Sequence, residues 1–111
     1  MKEADIVRAC VDLLRFKGAK IRKIHTVGIP IGRTGAFRTN PMKGISDIIG
    51  WLPSCKQHKH ARFLAVEVKM AGKKPTLDQL EYLAELNEDG GLGIWVTSAE
   101  ELLTDLEKEG Y

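Results

Sequence analysis

The chain is short of cysteine, of long apolar runs and of repeats, and each shortage removes a class of protein. Two cysteines in 111 residues, Cys10 and Cys55, fall in different predicted elements and read as free thiols, not as a disulfide framework. No apolar run approaches the roughly 20 residues that span a bilayer, so no membrane partner is expected. The first residues, MKEADIVRAC, carry acids where a secretory leader would be basic and then apolar, which predicts an intracellular chain. The glycine-punctuated stretch 28–43 lacks the GxxxxGK[ST] order of a phosphate-cradling loop, which argues against a nucleotide site of that kind. Cys55, His58 and His60 crowd one segment without a fourth ligand at a usual spacing, a poor set for structural zinc.

Acids are scarce in the first two-thirds of the chain and bases in the last third. Residues 1–74 hold 16 Lys and Arg against 5 Asp and Glu, while residues 75–111 hold 1 against 10, so a formal net charge of +2 conceals two halves of opposite sign. A basic half of this size is the electrostatic footprint of a polyanion partner, with mutual neutralisation of the halves as the plainer alternative. With 43% apolar and 29% charged residues, the composition is that of one soluble domain spanning 1–111.

Periodicity predicts an amphipathic helix over 2–17, a strand over 20–27, and a long loop over 28–43. It then predicts a strand over 44–52, a basic turn over 53–61, a strand over 62–70, a capped helix over 76–88, a strand over 92–97 and a last acidic helix ending at Gly110. The order is α-β-β-β-α-β-α: an α/β (α+β) fold with a mixed sheet of about four strands flanked by helices. Leu77, Leu80, Leu83, Ala84 and Leu86 are the expected buried stripe of the 76–88 helix.

Two stretches carry chemistry. In Arg62 to Met70, RFLAVEVKM, alternation puts Phe63, Ala65, Glu67 and Lys69 on one face, so a carboxylate and an ammonium sit together at the end of a core strand. A half-buried salt bridge would account for that pair alone. In Gly44 to Leu52, GISDIIGWL, a second acid stands within an apolar run, and if the chain turns back at 53–61, Asp47 comes to lie near Glu67. Like carboxylates placed together favour a raised pKa or a bound cation, and oxygen ligands suit Mg²⁺ or Mn²⁺. Lys69 would face a water on that cation. Arg33, Arg38 and Lys43, with Phe37 among them, suit a flap gripping a phosphate backbone, and Lys73 and Lys74 form a basic connection beside the site. Thr76-x-x-Gln79 is a capping-box pattern, which gives Gln79 a structural role of its own.

The order Gly44-x-x-Asp47, then Glu67-Val68-Lys69, then Gln79 on the following helix resembles the PD-(D/E)XK nuclease superfamily. GISDIIGW, FLAVEVKM and KKPTLDQLEYLAEL are similar to its virus-type replication-repair nuclease (VRR-NUC) domains, over nearly the whole chain. Ser46 stands where the superfamily has its name-giving proline. The resemblance implies a restriction-endonuclease-like core and Mg²⁺- or Mn²⁺-dependent hydrolysis of DNA phosphodiesters. It makes Asp47, Glu67, Lys69 and Gln79 the catalytic set, with Glu3 and the Val68 carbonyl joining Asp47 and Glu67 on the metal. It further implies branched DNA such as four-way junctions as substrate, a homodimer with two sites, and the cytoplasm of a bacterium or phage-infected host as the location. A flap nuclease, an exonuclease or a restriction-type enzyme would keep the same residues. A non-catalytic nucleic-acid-binding module would explain the basic half but not the paired acids.

Overall fold

The computed structural model describes residues 2–24 and 44–111, and the backbone of 29–31 and 36–38. Helix α1 (Glu3–Phe16) leads into strand β1 (Lys20–Lys23), followed by β2 (Ile29–Ile31) and β3 (Ala36–Arg38), then β4 (Ile48–Leu52) and β5 (Arg62–Val68). Helix α2 (Leu77–Glu88), strand β6 (Leu92–Val96) and helix α3 (Ala99–Lys108) complete the chain. The main sheet runs β1-β4-β5-β6, antiparallel except for the parallel β5–β6 pair that α2 connects. This is the expected mixed four-strand sheet flanked by helices. No helix among the described residues is long and apolar enough to cross a membrane.

Alternation along the strands divides the sheet into two unlike faces. Leu64, Val66 and Val68 of β5, with Ile21, Ile48, Leu52, Leu92 and Val96, are buried against Ile6, Cys10, Val11 and Leu14 of α1 and Leu102 and Leu106 of α3. This face is the hydrophobic core, and at roughly 25 cal/mol per Å² of apolar surface removed from water it supplies the main favourable term in folding. Cys10 and Cys55 are free thiols, and burial, with the charge of Glu100, pushes the Cys10 thiol up to about 11. Helix α2 lies over the other face, where a Cβ added at Gly93 would come 2.9 Å from the Leu83 carbonyl oxygen, so only glycine permits that approach.

Arg62 fastens the end of the sheet away from Glu67. Its guanidinium donates to the carbonyls of Gly90 (3.0 Å) and Gly91 (3.1 Å) and to the Glu109 carboxylate (2.7 Å). The His58 ring stacks on Tyr111 with centroids 5.5 Å apart, and Cys55 bonds Gln57 at 3.8 Å.

Several expectations are corrected. The segment 28–43, expected to be a loop, contains the antiparallel β2–β3 ribbon; a two-stranded ribbon has only edge strands, where Pro30 is tolerated. Strand β4 begins at Ile48, so Asp47 stands just before it, and β5 ends at Val68, so Lys69 stands just after it. β1 ends at Lys23, and residues 25–27 of the expected strand, His25 among them, lie outside the described residues.

The buried stripe of α2 is also different. Leu83 is buried and Leu86 half-buried, but Leu77 is 71% exposed, Leu80 41%, and Ala84 is exposed as well. Two polar side chains turn the helix this way. Gln79 reaches the sheet near one end, and at the other Asn87 pairs with Gly93 as a strand would, accepting from its N–H at 2.8 Å and donating to its carbonyl at 2.9 Å. Spacing of four residues puts Gln79, Leu83 and Asn87 on one helix face. Because Gly93 is buried, Asn87→Ala strands both its backbone groups and should lower unfolding free energy by about 1–3 kcal/mol, measured by urea denaturation. An unchanged midpoint would show that the pairing contributes nothing.

Candidate functional site

The β4–β5 register sets the site. Ile48 pairs with Val66, so one step outward Asp47 faces Glu67. Asp47 is held at both ends: its carbonyl accepts from Ile24 N–H at 2.8 Å, and its Oδ2 accepts from Val68 N–H at 2.8 Å. The approach to Asp47 depends on Gly44, which has φ +86°, and where a Cβ would lie 2.8 Å from the Asp78 carbonyl oxygen. Only glycine meets both conditions, which explains the Gly-x-x-Asp spacing physically.

Glu67 is 2% exposed. Its Oε1 accepts from Gln79 Nε2 at 2.9 Å and lies 3.5 Å from Lys69 Nζ, while its buried Oε2 has no hydrogen-bond donor among the described residues, with the Asp47 carboxyl as a neighbour of the same group. Burial, then the neighbouring Asp47 charge, raise the Glu67 carboxyl from 4.5 to about 7, against the opposing pull of Lys69. Gln79 combines the two roles that the sequence left in competition. Its Oε1 accepts from the Thr76 backbone N–H at 2.8 Å, completing the capping box, while its Nε2 serves Glu67. Lys69 is half-buried, and its backbone N–H donates to the Val96 carbonyl at 2.9 Å, which fixes the base of the side chain.

Asp47, Glu67, Lys69 and Gln79 are therefore brought together. Glu3 is exposed in the first turn of α1, and among the described residues it is not grouped with Asp47 and Glu67. Lys73 and Lys74 are exposed on the β5–α2 connection. Arg33 and Lys43 lie outside the described residues, and Arg38 is described only as backbone in β3. Lys23, which the sequence reading did not single out, lines with Ala4, Val7, Ile24 and Asp47 a cavity of about 170 Å³.

The donor set fits a hard divalent cation. Mg²⁺ is commonly held by one or two carboxylates, with waters and substrate phosphates completing its shell. Asp47 and Glu67 supply two, and a cation between them would offset the cost of burying the Glu67 carboxylate beside a second one.

A stability signature follows from the raised carboxyl. Since its folded pKa lies above the unfolded value, the contribution of Glu67 to stability is fully present below about pH 4 and is lost as pH rises through 7. Glu67→Gln keeps a carbonyl for Gln79 and removes the titration. In EDTA it should raise the melting temperature near pH 8 by several degrees, and by much less near pH 4, as followed by circular dichroism. An equal gap at the two pH values would show that buried charge is not the cause.

The chain matches no protein-family model, no curated protein and no solved structure, which leaves the chemistry of Asp47, Glu67, Lys69 and Gln79 as the ground for assigning a function.

Proposed function

We propose that the protein is a divalent-cation-dependent nuclease that hydrolyses DNA phosphodiester bonds. The observation that carries this reading is the Glu67 carboxylate, buried beside a second carboxylate, with no donor to one oxygen among the described residues and an ammonium 3.5 Å from the other. An arrangement that costs stability in the resting protein is expected where binding or catalysis uses it.

Asp47 and Glu67 would hold Mg²⁺ or Mn²⁺, with the Val68 carbonyl added by the resemblance to PD-(D/E)XK nucleases. Bound there, the cation supplies positive charge that polarises the phosphoryl group and lowers the pKa of an attacking water. The chain's own residues do the rest. The Val68 N–H fixes Asp47, and the Gln79 amide fixes Glu67, so neither carboxylate has to reorganise when substrate arrives. At 3.5 Å from Glu67, the Lys69 ammonium retains hydrogens for a water or a phosphate oxygen, which it would orient for in-line attack. Lys73 and Lys74, exposed next to it in sequence, would meet flanking phosphates.

Branched DNA is the substrate class favoured by the VRR-NUC resemblance. Symmetric cutting of a four-way junction needs two sites, and this chain holds one. Leu77 and Leu80 of α2 and Trp95 of β6, which is 37% exposed, offer apolar surface to a second copy of the chain around a two-fold axis.

Purified protein incubated with single-stranded, duplex, flap and four-way DNA should cleave with Mg²⁺ or Mn²⁺ and not with EDTA. Lys69→Ala should lose at least about 100-fold in rate while retaining its fold and DNA affinity. Asp47→Asn and Glu67→Gln should lose Mn²⁺ binding by calorimetry. Full activity in Lys69→Ala, or undiminished Mn²⁺ affinity in both carboxylate variants, would overturn the assignment. Light scattering at tens of micromolar should give the mass of a dimer, and junction DNA should carry paired nicks; a strict monomer would favour a nuclease that nicks flaps or single branches.

A further inference from the structure

The face of the sheet that carries Glu67 is covered by α2 only over β5 and β6. Among the described residues, no helix packs on it over β1 and β4. Lys20 pairs with Trp51 and Arg22 with Ile49, and Trp51 pairs in turn with Phe63. Directly opposed residues project to the same side, so Lys20, Arg22, Ile49, Trp51 and Phe63 share the face of Glu67. Trp51 is 52% exposed and Phe63 45%, although Ile21, Ile48, Leu52 and Leu64, on the other side of the same strands, are at most 2% exposed. The two rings therefore stand on a rigid, fully packed part of the sheet.

We infer that Trp51 and Phe63 are a stacking platform for the bases of a single-stranded nucleic-acid segment whose backbone follows Lys20 and Arg22. The chemistry of the face selects that partner. Aromatic rings beside lysine and arginine match a chain of flat bases on a polyanion, and stacking needs bases whose faces are free, as they are in a single strand and not within a duplex. Both Lys20 and Arg22 are exposed. Helix α2, on the other margin, carries Asp78, Glu81 and Glu85, so the phosphates favour the β1 side. From Phe63 to Glu67 is four residues along one strand, about 13 Å, so a strand seated on the platform would reach the carboxylates within a few nucleotides. The inference deepens the nuclease reading and rests on it for the direction of the strand: unpaired DNA flanking the scissile phosphate would be held by the open face.

Binding can be tested apart from cleavage. Trp51 and Trp95 are the two tryptophans, so Trp95→Phe leaves Trp51 as the single reporter. In EDTA, an oligothymidylate should quench its emission, and a duplex of equal length should not. Trp51→Leu and Phe63→Leu should each weaken oligothymidylate binding about 10-fold, measured by anisotropy, and Trp51→Phe, which keeps a ring, should restore most of the loss. Unchanged affinity in both leucine variants, or no quenching, would overturn the platform. So would leucine variants that lose dimer mass in light scattering but bind oligothymidylate normally, since the face would then belong to a protein partner. Should the leucine variants fail to fold, quenching in Trp95→Phe decides. Quenching without metal-dependent cleavage by the wild-type protein would overturn the nuclease reading alone, whereas cleavage without quenching would overturn the platform alone.

Discussion

A carboxylate that is 2% exposed, next to another carboxylate, is the constraint around which this structure is arranged. Burying charge is unfavourable unless it is compensated, and one ammonium at 3.5 Å with one amide at 2.9 Å compensates only part of it. The remainder has to be carried by the opposite face of the same strand. Leu64, Val66 and Val68 alternate with Ala65 and Glu67 and are fully buried under α1 and α3, so β5 is held in place by side chains on the face opposite Glu67. The result is a strand with one face in the core and one that carries the buried carboxylate.

Holding Glu67 also explains features that look unrelated. Gln79 can serve it only if α2 presents Gln79, Leu83 and Asn87 to the sheet, and that rotation leaves Leu77 and Leu80 in solvent. Position 44 must be glycine because the chain entering β4 passes against the first turn of α2 at Asp78. Helix, entry turn and carboxylate form one mechanical unit. Substitutions at Gly44 or Asn87 should therefore be felt at Glu67 through α2.

The site was more legible in the sequence than the surface was. Period-two alternation places Glu67 and Lys69 together, and the turn after Leu52 brings Asp47 across from them, because strand geometry leaves little freedom once a hairpin closes. The role of Gln79 looked like a choice between cap and site, but an amide has both an acceptor and donors and here uses each. The α2 stripe was misread because apolar periodicity counts leucines and does not register two side chains bonding the sheet. The β2–β3 ribbon was hidden by Pro30 and the surrounding glycines, which mark turns more strongly than three-residue strands mark themselves. Element ends at Asp47 and Lys69 depend on where ladder bonding stops, which composition does not specify.

The charge asymmetry acquires a geography once the chain is folded. Arg62 joins Glu109 across the two halves, yet Lys20, Arg22 and Lys23 on β1, Lys56 and Lys59 in the β4–β5 turn, and Lys73 and Lys74 after β5 are all exposed. The acids of α2 and α3, Glu81, Glu85, Glu88, Glu100 and Glu107 among them, are exposed too. A polyanion approaching such a molecule is attracted by β1 and the connection after β5 and repelled by the outer surfaces of α2 and α3. On the proposed nuclease reading, that attraction would bring a phosphate backbone towards the end of β5 where Glu67 stands. The acidic helices would then act by exclusion, narrowing the orientations in which a phosphate chain could settle.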